Sequence, residues 1–142
     1  MTLVSVTRLR VRSWRYLPVF LIQAIRSSWQ AKSAEGSLAI SILQESRNTF
    51  WTRTVWAHEE AMKSYIVSGV HKQVMRNLLE WCDEAAVVHW EQDDSQPPTW
   101  EEAFRHLKKE GRPSKVNHPS NDHLAYQFPI PRVRLTGVLS FK

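Results

Sequence analysis

The sequence predicts an α+β domain in which two helical crossovers pack on a four-stranded antiparallel sheet, in the ferredoxin-like order β-α-β-β-α-β. Three observations carry this. Residues 2–11, TLVSVTRLRV, alternate in polarity and are rich in β-formers. The runs SLAISILQ and TFWTRTVWA are separated only by ESRN, a connection short enough for an antiparallel hairpin. Helical periodicity then fills the two gaps, after Ser13 and after His58.

Each element has its own justification. Ser13 is a candidate N-cap, and Pro18 falls in the first turn of the helix that follows. That helix carries two apolar stripes, one through Leu17, Phe20, Leu21, Ala24 and Ser28, the other through Val19, Ile22, Ile25 and Trp29. A helix apolar on two sides calls for a cover on two sides. Gly36 ends this unit. In the strand 37–44, Leu38, Ile40 and Ile42 lie opposite Ala39, Ser41 and Leu43. A helix starts near His58 with Glu59 and Glu60, acids suited to the N-terminal dipole, and stops at Ser68-Gly69. A second helical piece spans 70–81, and residues 84–91 form the fourth strand. One sheet face then carries Val4, Val6, Arg8, Ala39, Leu43, Trp51, Arg53, Val55, Val87 and His89 with nothing over it. Such a face calls for a second copy, paired sheet to sheet across a two-fold axis. Domain 1–92 is followed by residues 93–142, a C-terminal helix and extended tail packed on the dimer or swapped around it. The helix has Thr99 as cap and Glu101 and Glu102 in a capping-box pattern, and stops at Gly111. The Pro-, Asn- and Ser-rich stretch beyond it reads as irregular, with a short strand or arm at the end.

Composition narrows the class. A chain of 142 residues, 42% hydrophobic, has room for one core. Seven Trp is a high count and points to a flat ligand pocket or an interface as readily as to a core. Cys82 stands alone, so no internal disulfide forms; this fits a cytoplasmic protein. No base or electropositive setting adjoins Cys82, which reads as a small buried residue. The net charge of +5 gathers at the two ends. Basic ends contact nucleic acid or anionic membranes, or stay solvated; neither a nucleic-acid role nor a membrane span is expected here. The run LPVFLIQAI is too short to cross a bilayer. HEEAM at 58–62 lacks the second His of a zinc protease, and His118 and His123 sit beside no ligand cluster, so no metal site is expected. RNA recognition on the same topology needs exposed aromatics at alternate positions of the third strand, which FWTRTVW does not supply.

The strand FWTRTVW, the helix EEAMKSY, the SGxH turn and the order of elements resemble the dimeric α+β barrel superfamily over residues 2–92. That group includes antibiotic biosynthesis monooxygenases and haem-degrading monooxygenases. The Trp-rich strand ahead of a Gly-His pair is most similar to the branch related to spheroidene monooxygenase. The haem-degrading members place an Asn, a Trp and an iron-binding His where this chain has Thr7, Trp56 and Met75. Only the Trp matches, so the resemblance implies haem less than it implies no cofactor. His71, one turn before Met75, would be a shifted ligand.

Strand parity independently places Thr7, Thr54 and Trp56 toward the helices, with Met62, Tyr65, His71 and Met75 above them. Apolar walls with a few hydroxyls suit an aromatic or polyene ligand. The expected function is therefore a small monooxygenase-like protein that binds a hydrophobic molecule between sheet and helices. His71 would serve as base and Trp56 as stacking platform, both being the candidate catalytic residues. The alternative is a non-catalytic ligand-binding or structural homodimer.

Overall fold

Strand β1 (Thr2–Val11) lies at the centre of the sheet. It pairs antiparallel with β3 (Thr49–Trp56) on one side and β4 (Cys82–Gln92) on the other. The hairpin partner β2 (Ser37–Gln44) lies beyond β3. These four strands have the ferredoxin-like order expected. The computed structural model describes residues 1–67, 69–133 and 137–141, and of residues 69–71 the backbone alone. Two short strands extend the sheet at its edges: β5 (Arg112–Pro113) on β4 and β6 (Val138–Ser140) on β2. The full order is β5-β4-β1-β3-β2-β6, antiparallel throughout.

The first crossover is α1 (Leu17–Ser33), entered through a single 3-10 turn at Trp14–Tyr16. Ser13 therefore precedes that turn, and its side chain caps nothing. The second crossover is broken as expected, into α2 (Glu59–Ile66) and α3 (Gly69–Trp81). His58 caps α2, its Nδ1 accepting the Ala61 amide at 3.1 Å, with Glu59 and Glu60 in the first turn. The HEEAM segment is thus a helix start. Gly36 is needed where α1 turns into β2: its φ is +82°, and a Cβ there would lie 2.6 Å from the Ala61 Cβ of α2.

The helices cover one sheet face in two patches. Phe20 of α1 and Val74 and Leu78 of α3 pack on Val11, Phe50 and Ala85. Met62 and Tyr65 of α2 and Ala31 of α1 pack on Leu3, Ile40 and Trp56.

The other face is not bare, which overturns the expectation that a second copy must bury it. Val4, Val6, Leu43, Trp51 and Val55 are fully buried within the single chain. Trp100, Ala103 and Leu107 of α4 (Trp100–Glu110) lie over them, with Tyr126, Phe128 and Val138 of the tail alongside. The capping box is formed: Thr99 Oγ1 accepts the Glu102 amide at 3.1 Å. Arg53 helps dock α4, donating to the Pro98 carbonyl at 2.6 Å and stacking over the Trp100 ring at 4.3 Å. The molecule is therefore three layers, helices on both faces of the sheet. The stretch after Gly111 is also more ordered than its composition suggested, and includes α5 (Asn121–Ala125).

A second correction concerns β4. Arg8 pairs with Ala86, Val6 with Val88 and Val4 with Trp90. Ala86, Val88 and Trp90 thus share the α4 face, while Val87 and His89 point to the α1–α3 side, opposite to expectation. EAAVV is apolar at both parities, so its pattern does not choose a face. The ion pairs do. Glu84 sits with Arg8 and Arg10 on the α4 face, bonded at 2.6 Å and 2.9 Å, and odd-numbered His89 follows to the other side.

Candidate functional site

Between the two apolar patches of the α1–α3 side runs a polar belt. Cross-strand pairing sets His89, Ser5, Thr54 and Ile40 in one row, and Val87, Thr7, Thr52 and Ile42 in the next. Leu3 and Trp56 on one side of the belt are buried, as are Ala85 and Phe50 on the other. Ser5, Thr7, Thr52, Val87 and His89 are only half-buried. The cause is the helical layer: α2 packs over the Leu3–Trp56 end and α3 over the Phe50–Ala85 end.

Among the described residues no hydrogen bond reaches the side-chain hydroxyls of Ser5, Thr7 or Thr52, or the His89 imidazole. Burial lowers the His89 pKa below the ordinary histidine value, and the Arg112 charge adds to this against the opposing pull of Glu59. Arg112 stands opposite Val87, at the belt's edge. The belt therefore offers hydroxyl donors, a neutral imidazole and a nearby cation beneath apolar walls.

The expected pocket residues divide. Trp56, Met62 and Tyr65 do converge, but as packed core. Trp56 is 1% exposed, its indole N–H donates to Thr54 Oγ1 at 2.8 Å, and its ring lies 5.3 Å from that of Tyr65. The Tyr65 hydroxyl donates to the Ser27 carbonyl at 2.9 Å, and burial pushes its pKa up to about 12 despite the Ser27 side-chain hydrogen bond. It acts as a neutral hydrogen-bonding group, not a base. Thr7 and Thr54 lie on the belt. Met75 does not join them: it is 47% exposed on α3. The His71 side chain, proposed as base, and Ser68 of the SGxH turn lie outside the described residues. His89, missed as a site residue, was legible through Glu84: an acid that must share a face with Arg8 and Arg10 fixes the parity of the strand.

These residues do not fit a haem. Met75, at the position the resemblance assigns to the iron ligand, is exposed, and the matching Trp56 is sealed in core. Among the described residues no three His, Cys, Asp or Glu side chains gather as a metal ion would require. Cys82 is fully buried, and burial foremost, then the Asp83 charge, pushes its thiol up to about 12. His123, also buried, accepts the Ala85 amide at Nδ1.

Comparison with known proteins places the chain. The profile of a domain family of unknown function, DUF3291, matches residues 26–116. No curated protein sequence matches significantly. Solved structures do. A conserved protein from Methanosarcina mazei superposes with a TM-score of 0.59 at 17% identity, over 66% of this chain and 94% of its own. SnoaB from Streptomyces nogalater, a cofactor-independent oxygenase, gives 0.56 at 13% identity, over 68% of this chain and 98% of its own. A candidate antibiotic biosynthesis monooxygenase from Nitrosomonas europaea gives 0.58 at 13% identity, over 64% and 89%. At such identities the likeness is one of fold, and the fold is that of the antibiotic biosynthesis monooxygenases.

Proposed function

We propose that this chain, which belongs to the DUF3291 family, binds a hydrophobic, flat ligand over the polar belt and acts on it as a small monooxygenase-like protein. The observation that carries this reading is His89. It is half-buried, unpartnered among the described residues, and held neutral by its surroundings. A neutral imidazole with a free nitrogen is a proton acceptor at neutral pH. Ser5, Thr7 and Thr52 orient the ligand by hydrogen bonds, and the flanking patches exclude water from its apolar part. Loss of a proton to His89 from an activated C–H or O–H leaves a stabilised carbanion or phenolate. Such anions are the species that react with O₂ without a cofactor. A neighbour of the same fold described as a cofactor-independent oxygenase supports the chemistry by analogy. Trp56, Met62 and Tyr65 then serve as the wall under the Thr54 edge, and His71 stands as a second candidate base.

Oxygen uptake and tryptophan fluorescence with a panel of phenolic and polyene compounds test this. His89→Gln is expected to keep the fold and ligand affinity and to lower turnover by about a hundredfold or more. Unchanged uptake in that variant would remove His89 from the chemistry. A second reading, binding without turnover, is favoured by the openness of the belt, which leaves a bound ligand within reach of water. It is recognised by fluorescence titration with no oxygen consumed.

A further inference from the structure

Of the second stripe of α1, Trp29 is met only edge-on, by the Phe141 ring at 6.1 Å, and the rest finds no cover in the fold. α4, Tyr126, Phe128 and Val138 pack on the opposite side of the sheet. Outward on α1 stand Ile22, 57% exposed, and Trp29, 55% exposed, with Ile25 between them. They follow a three-then-four residue spacing that aligns them along one helix face. Trp14, 81% exposed, stands at the entrance to α1, and Met75 is exposed on α3, which packs beside α1.

The charges around this patch have one sign. Residues 14–33 contain no Asp or Glu. Arg15 and Arg26 are exposed on the α1 side, Lys72 and Arg76 on α3. The Lys32 ammonium sits 4.7 Å from the Trp29 ring. None of these five cations reaches a carboxylate among the described residues, whereas Glu80 at the end of α3 is held by Arg12 and His118. A second copy docked here about a two-fold axis would set these cations against their equals. Aliphatic side chains and two exposed indoles ringed by unpaired cations match instead a surface that is apolar below and anionic on top.

We infer that the α1–α3 surface docks on anionic phospholipid bilayers, with Trp14, Ile22, Ile25 and Trp29 entering the headgroup region and Arg15, Arg26, Lys72 and Arg76 meeting the phosphates. The protein lies on the membrane and does not cross it; among the described residues no helix is long and apolar enough to span. The inference is independent of the ligand reading, because the patch faces away from the sheet.

Co-sedimentation with unilamellar vesicles tests it, using phosphatidylcholine alone and phosphatidylcholine with one third phosphatidylglycerol. The full chain is expected to pellet with the anionic vesicles about tenfold more strongly than with neutral ones, and to be released by salt. Tryptophan emission should shift to the blue on binding. Ile22→Glu with Ile25→Glu should abolish pelleting while leaving the thermal midpoint near that of the parent, since both positions are exposed. Arg26→Glu with Lys72→Glu should weaken it about tenfold. Absence of pelleting with either vesicle overturns the inference. So does a stable dimer in sedimentation that Ile22→Glu dissolves, which would make the stripe a contact between copies.

Discussion

Trp56 has the makings of a ligand platform, a large flat ring with one donor, yet its neighbours use both. Thr54 takes the N–H and Tyr65 lies against the ring. Trp56→Phe is expected to cost about 1–3 kcal/mol, from a partial cavity and the lost hydrogen bond, read as a lower thermal midpoint with ligand affinity little changed. Glu84 is the other residue where context decides. Burial by itself would raise its carboxyl, but hydrogen bonds from Arg8 and Ser120, the Arg8 charge and Arg10 outweigh this, and its pKa lies below the usual carboxylate value. The folded state therefore binds this proton more weakly than the unfolded chain. Its contribution is complete above the ordinary carboxylate range and is lost as pH falls through the depressed folded value. Glu84→Gln leaves the buried Arg8 guanidinium without its counter-charge and should cost about 3–5 kcal/mol near neutrality. The stability of that variant should also decline less steeply in acid. Parallel denaturant titrations at neutral and acid pH check both.

At the scale of elements, α4 is the piece whose place the sequence left unread. Its start was plain in Thr99 and Glu102, because a capping box is a local signature. Its landing site was not, although Trp100, Ala103, Phe104 and Leu107 recur at helical spacing and mark a face in need of a partner. The four strands, the split second crossover and the meeting of Trp56 with Tyr65 were all legible from alternation and helical period. The parity of β4 does not show in Ala85, Ala86, Val87 and Val88, which satisfy either face equally; only the match of Glu84 to Arg8 and Arg10 carries it, and with it His89. Leu107→Ala tests the role of α4. Leu107 is fully buried against the sheet, and its truncation should cost about 2–5 kcal/mol, as for a core leucine and not for a peripheral appendage. A loss below about 0.5 kcal/mol, the range of surface substitutions, would mean that α4 is only loosely held.

Taken as a whole, the molecule completes in one chain what a face-to-face pair of sheets would complete with two. The surface that pairing needs is already filled by α4 and the tail. Sedimentation at micromolar concentration in the absence of lipid is expected to give a monomer. Val55→Asp should then unfold the chain outright, at any protein concentration, because Val55 lies in a core and not at a separable contact. A dimer that survives with α4 in place would have to use another surface.

This arrangement has a consequence for how the protein is made. Synthesis runs from the N-terminus, so the strands of the sheet leave the ribosome before the residues that cover them. Val4, Trp51 and Val55 meet water, chaperones and other nascent copies before they meet Leu107. The edge of β2 waits longer still, until Val138–Ser140 arrives beside it. A proteolytic cut or premature stop between Asp93 and Pro98 would release a sheet with one greasy face and two open edges, the form most prone to aggregate. Residues 93–141 are thus the cover for which the exposed face of the new sheet has to wait.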